Sequence, residues 1–333
     1  MSDVRIPELP STPGVAWLFP GQGAQHVGMG KDLYEGVPAA RAVFDAADEA
    51  LGFSLSRLCF EGPEDELTRT VNTQPALVAH SIAALVAAID AGTVTSRPQL
   101  TAGHSLGEYA ALIAAGAVSF DVGIRLVRER GRLMQEACDA VPGTMAAIIG
   151  LEPEVLEGLC AAHGASLCNM NAPGNITIGG ARAAVEAASA AATEAGASRV
   201  VPLTVAGAFH TPLMASAAAG MRSVVDAVAF AAPSVPVVSN VTAQPLTSAA
   251  GLGDELVDQI TSPVRWVDSV RTMLDSGVTS FIEFGPGKVL TGLVRRIERG
   301  AEIRNVGTAA EARGIEAAAE TRGAETRGAE ASR

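Results

Sequence analysis

The sequence predicts an α/β protein: a large domain on a mainly parallel sheet, interrupted by an inserted α+β small domain. Three observations carry this. Short apolar runs at Val15 to Phe19 and Pro98 to Ala102 each lead into a glycine-containing loop, as strands do where a parallel sheet meets its ligand crevice. The second loop is Gly103-His104-Ser105-Leu106-Gly107, a G-x-S-x-G pentapeptide followed by an Ala/Leu-rich helical stretch that stops at Gly116. Strand, tight turn and helix around this pattern make a nucleophile elbow, the mark of a hydrolase-like α/β domain. Between Gly143 and Leu203 the order becomes strand, helix, strand, strand, helix, strand, which is ferredoxin-like. The large domain is therefore expected over residues 13–140 and 206–306, the small domain over 141–205, and a disordered tail over 307–333.

Composition bounds what such a chain can do. Its 333 residues are 48% hydrophobic but only 4% aromatic, so Ala, Val and Leu must build the core. A formal net charge of −12 argues against a nucleic-acid binder, whose surface needs a basic patch. Cys59, Cys138, Cys160 and Cys168 show neither C-x-x-C spacing nor a neighbouring His cluster. They read as free buried thiols of a reducing compartment, and no metal site is expected. Met1 to Pro10 has acids and prolines but no apolar signal region, and the run Ala76 to Ala91 is interrupted by His80, Ser81 and Asp90. A cytoplasmic protein with no membrane span is expected.

The elements follow in order. After the first strand comes Pro20-Gly21-Gln22-Gly23-Ala24-Gln25. It lacks the Lys-Ser/Thr ending of a phosphate loop, but small residues around Gln22 would let its backbone N–H approach a ligand; an ordinary turn is the competing reading. Phe44 to Leu58 and Ala76 to Ala91 have helical periodicity, with a loop at Glu61 to Glu66 and another loop and helix start at Asn72 to Pro75. Ser119 is placed to cap a helix from about Phe120 to Glu136, whose apolar face carries Leu126, Val127, Leu133 and Met134. Arg130 lies three or four residues from all four of them, so its guanidinium starts on the buried side. A buried charge needs a counter-charge; that partner is either an internal acid or a ligand carboxylate, which arginine's fork grips bidentately. Val235 to Val241 and Ser280 to Phe284 read as further strands, and Gly285-Pro286-Gly287 turns into a helix Lys288 to Arg299. Beyond about Thr308 the chain is low-complexity Ala, Glu, Arg and Gly with no apolar face to bury.

A serine at an elbow needs a base. His210, in a short loop before Pro212 at a domain junction, is a better candidate than His80 or His163 on helices, though a structural histidine is the alternative. The acids between Ser105 and His210 lie mostly on helices and in the small domain, so a backbone carbonyl is left to orient the imidazole. The backbone N–H groups of Leu106 and Gln22 are the oxyanion donors this arrangement offers.

Phe19-Pro20-Gly21-Gln22-Gly23-Ala24-Gln25, Gln74-Pro75-Ala76, Gly103-His104-Ser105-Leu106-Gly107-Glu108, Arg130-Gly131, Gly207-Ala208-Phe209-His210 and Gly285-Pro286-Gly287-Lys288 occur in that order. Together they resemble the malonyl-CoA:acyl-carrier-protein transacylases and the related acyltransferase domains of polyketide synthases, from about Val15 to about Ile303. The resemblance implies that Ser105 carries the malonyl group as an ester, with His210 as base and then acid. It implies Arg130 as the malonyl carboxylate's partner, the backbone carbonyl of Gln259 as the histidine's orienter, and His104, Phe209 and Asn169 in the substrate pocket. It implies malonyl-CoA and an acidic, phosphopantetheinylated holo acyl carrier protein as partners, no cofactor, and a monomer. Gly207-Ala208-Phe209-His210 resembles the malonyl-type signature, in which a bulky Phe209 crowds the space of an α-methyl group. A carrier from fatty-acid synthesis is the main expectation; a polyketide carrier and a serine thioesterase or hydrolase are the alternatives.

Overall fold

A computed structural model describes residues 4–315. The large sheet comprises β1 (Val15–Phe19), β2 (Leu100–Gly103), β7 (Val237–Val238), β8 (Pro245–Leu246), β9 (Ser280–Phe284) and β10 (Glu302–Val306), in the order β10-β9-β1-β2-β7-β8. All neighbours are parallel except the edge pair β7 and β8. β1 lies at the centre, and four of its five residues are buried. That is why it reads as a continuous apolar run without alternation. The small sheet comprises β3 (Thr144–Ile149), β4 (Ser166–Ala172), β5 (Asn175–Gly180) and β6 (Arg199–Pro202), antiparallel in the order β4-β5-β3-β6. With helices Pro153–His163 and Arg182–Glu194 this is the expected ferredoxin-like topology. Its own core includes Ile148, Leu156, Ile176, Ile178 and Val185.

The small sheet is registered to the rest of the chain by main-chain bonds. Asn169 pairs with Val264 in a parallel bridge. The Met170 N–H donates to the Val264 carbonyl at 2.9 Å, and the Val264 N–H donates to the Cys168 carbonyl at 2.8 Å.

Several expectations need correction. Residues 72–75 are not a loop but part of the 21-residue helix Thr70–Asp90, with Pro75 inside it. Its start is fastened from outside: Asn72 Nδ2 donates to the Glu66 carbonyl at 2.8 Å and Thr73 Oγ1 to the Leu67 carbonyl at 2.6 Å. By length and composition this helix could cross a bilayer, against the sequence expectation, but most of it is buried inside the protein. A helix buried on every side has no polar stripe, and the sequence shows none. Residues 64–68 are helical rather than loop. The Ser119 side chain makes no capping bond to the helix Phe120–Ala140; its hydroxyl donates to Asp121 Oδ1 at 2.6 Å.

The expected tail over 307–333 is overturned for residues 307–315. Thr308 Oγ1 caps the short helix Ala309–Ala312, accepting from the Glu311 N–H at 3.2 Å. The Ala309 N–H donates to Asp32 Oδ2 at 2.6 Å, and Arg313 Nη2 to the Gly36 carbonyl at 2.7 Å. Ala309 and Ala312 are buried. Small alanines carry too little hydrophobicity to announce a packing face, which is why the segment reads as disordered. The remainder of that call, residues 316–333, lies outside the described residues. Truncation after Thr308 is expected to lower the Tm by about 5 °C, since bonds and buried surface of ~2 kcal/mol are lost. An unchanged melting curve would contradict this.

Candidate active site

The site begins with two close approaches. A Cβ on Gly103 would collide with the Gly107 carbonyl, and one on Gly107 with the carbonyl of Phe19. The pentapeptide's glycines therefore let β2, the helix Gly107–Ala114 and the end of β1 converge behind the serine. Ser105 has φ +52°, a left-handed conformation that costs a side-chain-bearing residue about 1–2 kcal/mol. Its peptide groups are held from both sides: the Ser105 N–H donates to Asn240 Oδ1 at 2.6 Å, and Gln259 Nε2 donates to the Ser105 carbonyl at 3.0 Å. Asn240 Nδ2 in turn donates to the Gly103 carbonyl at 2.7 Å.

His210 lies 2.8 Å from this serine, Nε2 to Oγ, while its Nδ1 is 2.8 Å from the Gln259 carbonyl. A carbonyl can only accept, so Nδ1 carries the proton and Nε2 presents a lone pair to the hydroxyl. That is the tautomer of a general base. The imidazole is buried, which lowers its pKa, and the Arg130 guanidinium lowers it further, to about 3. The base is therefore neutral throughout the physiological range. For the free enzyme, kcat/KM reports this group. The expected acylation rate of Ser105 by a thioester changes less than about twofold between pH 7 and pH 5; a histidine of ordinary pKa near 6.5 would cost roughly 25-fold there. A limb near pH 6.5 in single-turnover acylation would refute it.

Arg130 is 1% exposed. Its Nη1 donates to Gln74 Oε1 at 2.8 Å, and its Nη2 donates to Gln259 Oε1 at 2.9 Å and to Ser105 Oγ at 3.1 Å. Among the described residues its Nε has no hydrogen-bond partner, and no carboxylate pairs with it. Of the two partners the sequence left open, the internal acid is not there. Glu108 approaches only through Gln259, whose Nε2 donates to Glu108 Oε2. Burial, then the charge of Glu255, push the Glu108 carboxyl well above the usual carboxylate range.

These groups face one cavity of about 180 Å³, lined by Gln22, His104, Ser105, Leu106, Arg130, Asn169, Phe209 and His210, with Met134, Met145, Leu203 and Val205 as apolar wall. Gly21 brings the first glycine loop there, for a Cβ on it would lie 2.7 Å from the His104 carbonyl oxygen. Gln259 sits behind the cavity, fully buried. His104 turns its Nε2 to Asn171 Oδ1 at 2.9 Å. A larger cavity of about 540 Å³, beside His26 and Lys31, is lined by none of these residues. All four cysteines are free and buried.

All the predicted site residues thus meet at one place. Sequence reasoning missed Asn240, Asn171 and the side-chain roles of Gln74, Glu108 and Gln259. The only available signal was a polar residue in an apolar helical run, as at Glu108.

Residues 16–310 match the family model of the acyl transferase domain. The chain is 49% identical over 290 residues to the malonyl CoA-acyl carrier protein transacylase of Bacillus subtilis, covering 86% of this chain and 90% of that one. With the Escherichia coli protein of the same name it shares 44% identity over 286 residues, 85% of this chain and 92% of that one. A crystal structure of an acyl carrier protein S-malonyltransferase from Vibrio cholerae superposes with a TM-score of 0.87 at 42% identity, over 91% of this chain and 100% of that chain. A malonyl-transacylase solved in complex with its type II polyketide synthase acyl-carrier protein superposes with a TM-score of 0.85 at 40% identity, over 90% of this chain and 98% of that chain.

Proposed function

Since the chain belongs to the acyl transferase family, alongside the malonyl-CoA:acyl-carrier-protein transacylases, we infer that it moves a malonyl group from coenzyme A to the pantetheine thiol of holo acyl carrier protein, supplying extender units for fatty-acid synthesis. The observation that carries this reading is Arg130: a buried guanidinium with neutral partners only, bonded to the nucleophile itself. A simple ester hydrolase has no use for such a group; an acyl chain ending in a carboxylate does.

The steps follow from the geometry. Ser105 Oγ attacks the thioester carbonyl while its proton passes to His210 Nε2. The oxyanion is held by the backbone N–H groups of Gln22 and Leu106, each donor of this kind contributing roughly 10²–10³ in rate. The carbon–sulfur bond breaks, and His210 returns the proton to the departing coenzyme A thiolate. The pantetheine thiol then gives its proton to His210 as its sulfur attacks the ester carbonyl. The bond from that carbon to Ser105 Oγ breaks, His210 returns the proton to Ser105 Oγ, and the malonyl group leaves on the pantetheine sulfur, a ping-pong exchange. Arg130 grips the malonyl carboxylate, the Gln259 carbonyl keeps His210 in its tautomer, and His104, Asn169 and Phe209 shape the pocket around the acyl group. One methyl group in such a pocket is worth about 1–3 kcal/mol, so the bulk of Phe209 sets a preference for malonyl over methylmalonyl, not an absolute bar. One thioester is exchanged for another of the same kind, so the transfer needs no energy source and no cofactor enters. Free, buried thiols suit a reducing cytoplasm, where this reading places the enzyme as a monomer.

Intact mass spectrometry tests it: mixing with malonyl-CoA should add one malonyl group, and holo acyl carrier protein should remove it and gain the same mass. Failure to acylate, or discharge to water at an unchanged rate without the carrier, would overturn it.

A further inference from the structure

Gln74 poses a question that the reaction steps leave open. It is 1% exposed, and its Oε1 accepts from Arg130 Nη1 at 2.8 Å. Its Nε2 finds only Met134 Sδ, at 3.5 Å, a weak acceptor. Gln74 lines the active-site cavity beside Arg130, and among its described protein neighbours nothing requires an amide N–H. A glutamate has the same shape and would set a carboxylate on a buried guanidinium. A carboxylate there would offset the guanidinium's charge directly, at the cost of its own desolvation. A glutamate would discharge the arginine, yet an amide stands there.

The rest of the shell around Arg130 is neutral too. Gln259 supplies the second amide oxygen, at 2.9 Å, and the Tyr109 ring lies 5.8 Å from the guanidinium carbon. Glu108 is kept one residue away by Gln259.

We propose that the neutrality of Gln74 determines selectivity for an acyl group bearing a carboxylate: the amide fixes the Arg130 fork without discharging it, so that the substrate supplies the missing anion. Gln74 is in this sense a positioning and specificity residue acting through Arg130. The inference rests on the reading of Arg130 as the malonyl carboxylate's partner.

The experiment compares rates of Ser105 acylation by malonyl-CoA and acetyl-CoA, with melting temperatures, in wild type, Gln74→Glu, Gln74→Met and Arg130→Ala. Gln74→Glu should lower the malonyl-over-acetyl ratio at least ~30-fold, chiefly through a higher KM for malonyl-CoA, and should raise the Tm, because the buried charge is now paired. Gln74→Met loses the bond but leaves the charge, so its ratio should fall only about threefold while its Tm drops. A merely structural role would move selectivity and Tm downward together in both variants, and that result overturns the proposal. So does a Gln74→Met ratio as low as that of Arg130→Ala, since hydrogen bonding rather than charge would then set it; this arm stands even if Gln74→Glu does not fold. If Arg130→Ala itself leaves the ratio unchanged, the clamp reading fails. If Arg130→Ala collapses the ratio and Gln74→Glu preserves it, only the present inference fails.

Discussion

Ser105→Ala is expected to take up no malonyl group from malonyl-CoA, with the transfer rate to holo acyl carrier protein falling at least about 10⁴-fold. The oxygen that forms the ester is gone, and among the described residues the hydroxyl bonded to His210 Nε2 is that of Ser105, at 2.8 Å. The fold should persist. The alanine keeps a left-handed backbone at that position, and the bonds from Asn240 and Gln259 that hold it run to main-chain atoms. His210→Ala should fall nearly as far, because nucleophile and base act as one unit and their losses do not add. A malonyl adduct on Ser105→Ala of the wild-type mass would move the nucleophile elsewhere and dismantle the proposed chemistry.

Arg130→Ala carries the second large effect. Malonyl transfer should drop roughly 10²–10³-fold, as expected when a bidentate charged contact in a dry site is removed. Acetyl transfer should change far less, so the malonyl-over-acetyl ratio collapses by about the same factor. Arg130→Lys should recover only part of it, since an ammonium offers a point charge and not a planar fork. The burial of Arg130 with neutral partners predicts a mild effect on stability: an uncompensated charge leaves the interior as the cavity forms. Single-turnover acylation with each thioester, beside a melting curve, separates the two. A proportional loss with both substrates would show that the arginine only scaffolds the site.

How far the sequence led depended on whether a feature was local. The elbow was legible because the strand, the two glycines and the helix all fall within about fifteen residues, and close packing forces their order. Arg130 was legible because helical periodicity alone puts it on the apolar side of its helix. His210 was legible by elimination and context, and the resemblance carried the rest of the site. What stayed hidden is what the fold brings from far away. Asn240 meets Ser105 across 135 residues, and Gln259 meets Ser105 across 154; nothing near either residue advertises a partner. The counter-charge argument for Arg130 was sound in form and open in outcome, because two buried glutamines can hold a guanidinium's terminal nitrogens while leaving its charge alone. β10 and the helix Ala309–Ala312 escaped notice for a different reason: short elements of small or charged residues become regular only when a neighbour such as β9 or Asp32 completes them.

The bridge between Asn169 and Val264 has a bearing on how such a pocket can evolve. The two halves of the molecule are aligned there through main-chain atoms: the carbonyl of Cys168, the N–H of Met170, and both polar groups of Val264. Backbone bonds are indifferent to which side chains hang beside them. Asn169, which lines the cavity, can therefore be replaced during divergence without the walls losing register. The frame is held through peptide groups, so a change of side chain at Asn169 alters the chemistry of the lining and leaves the bonds that set its register in place.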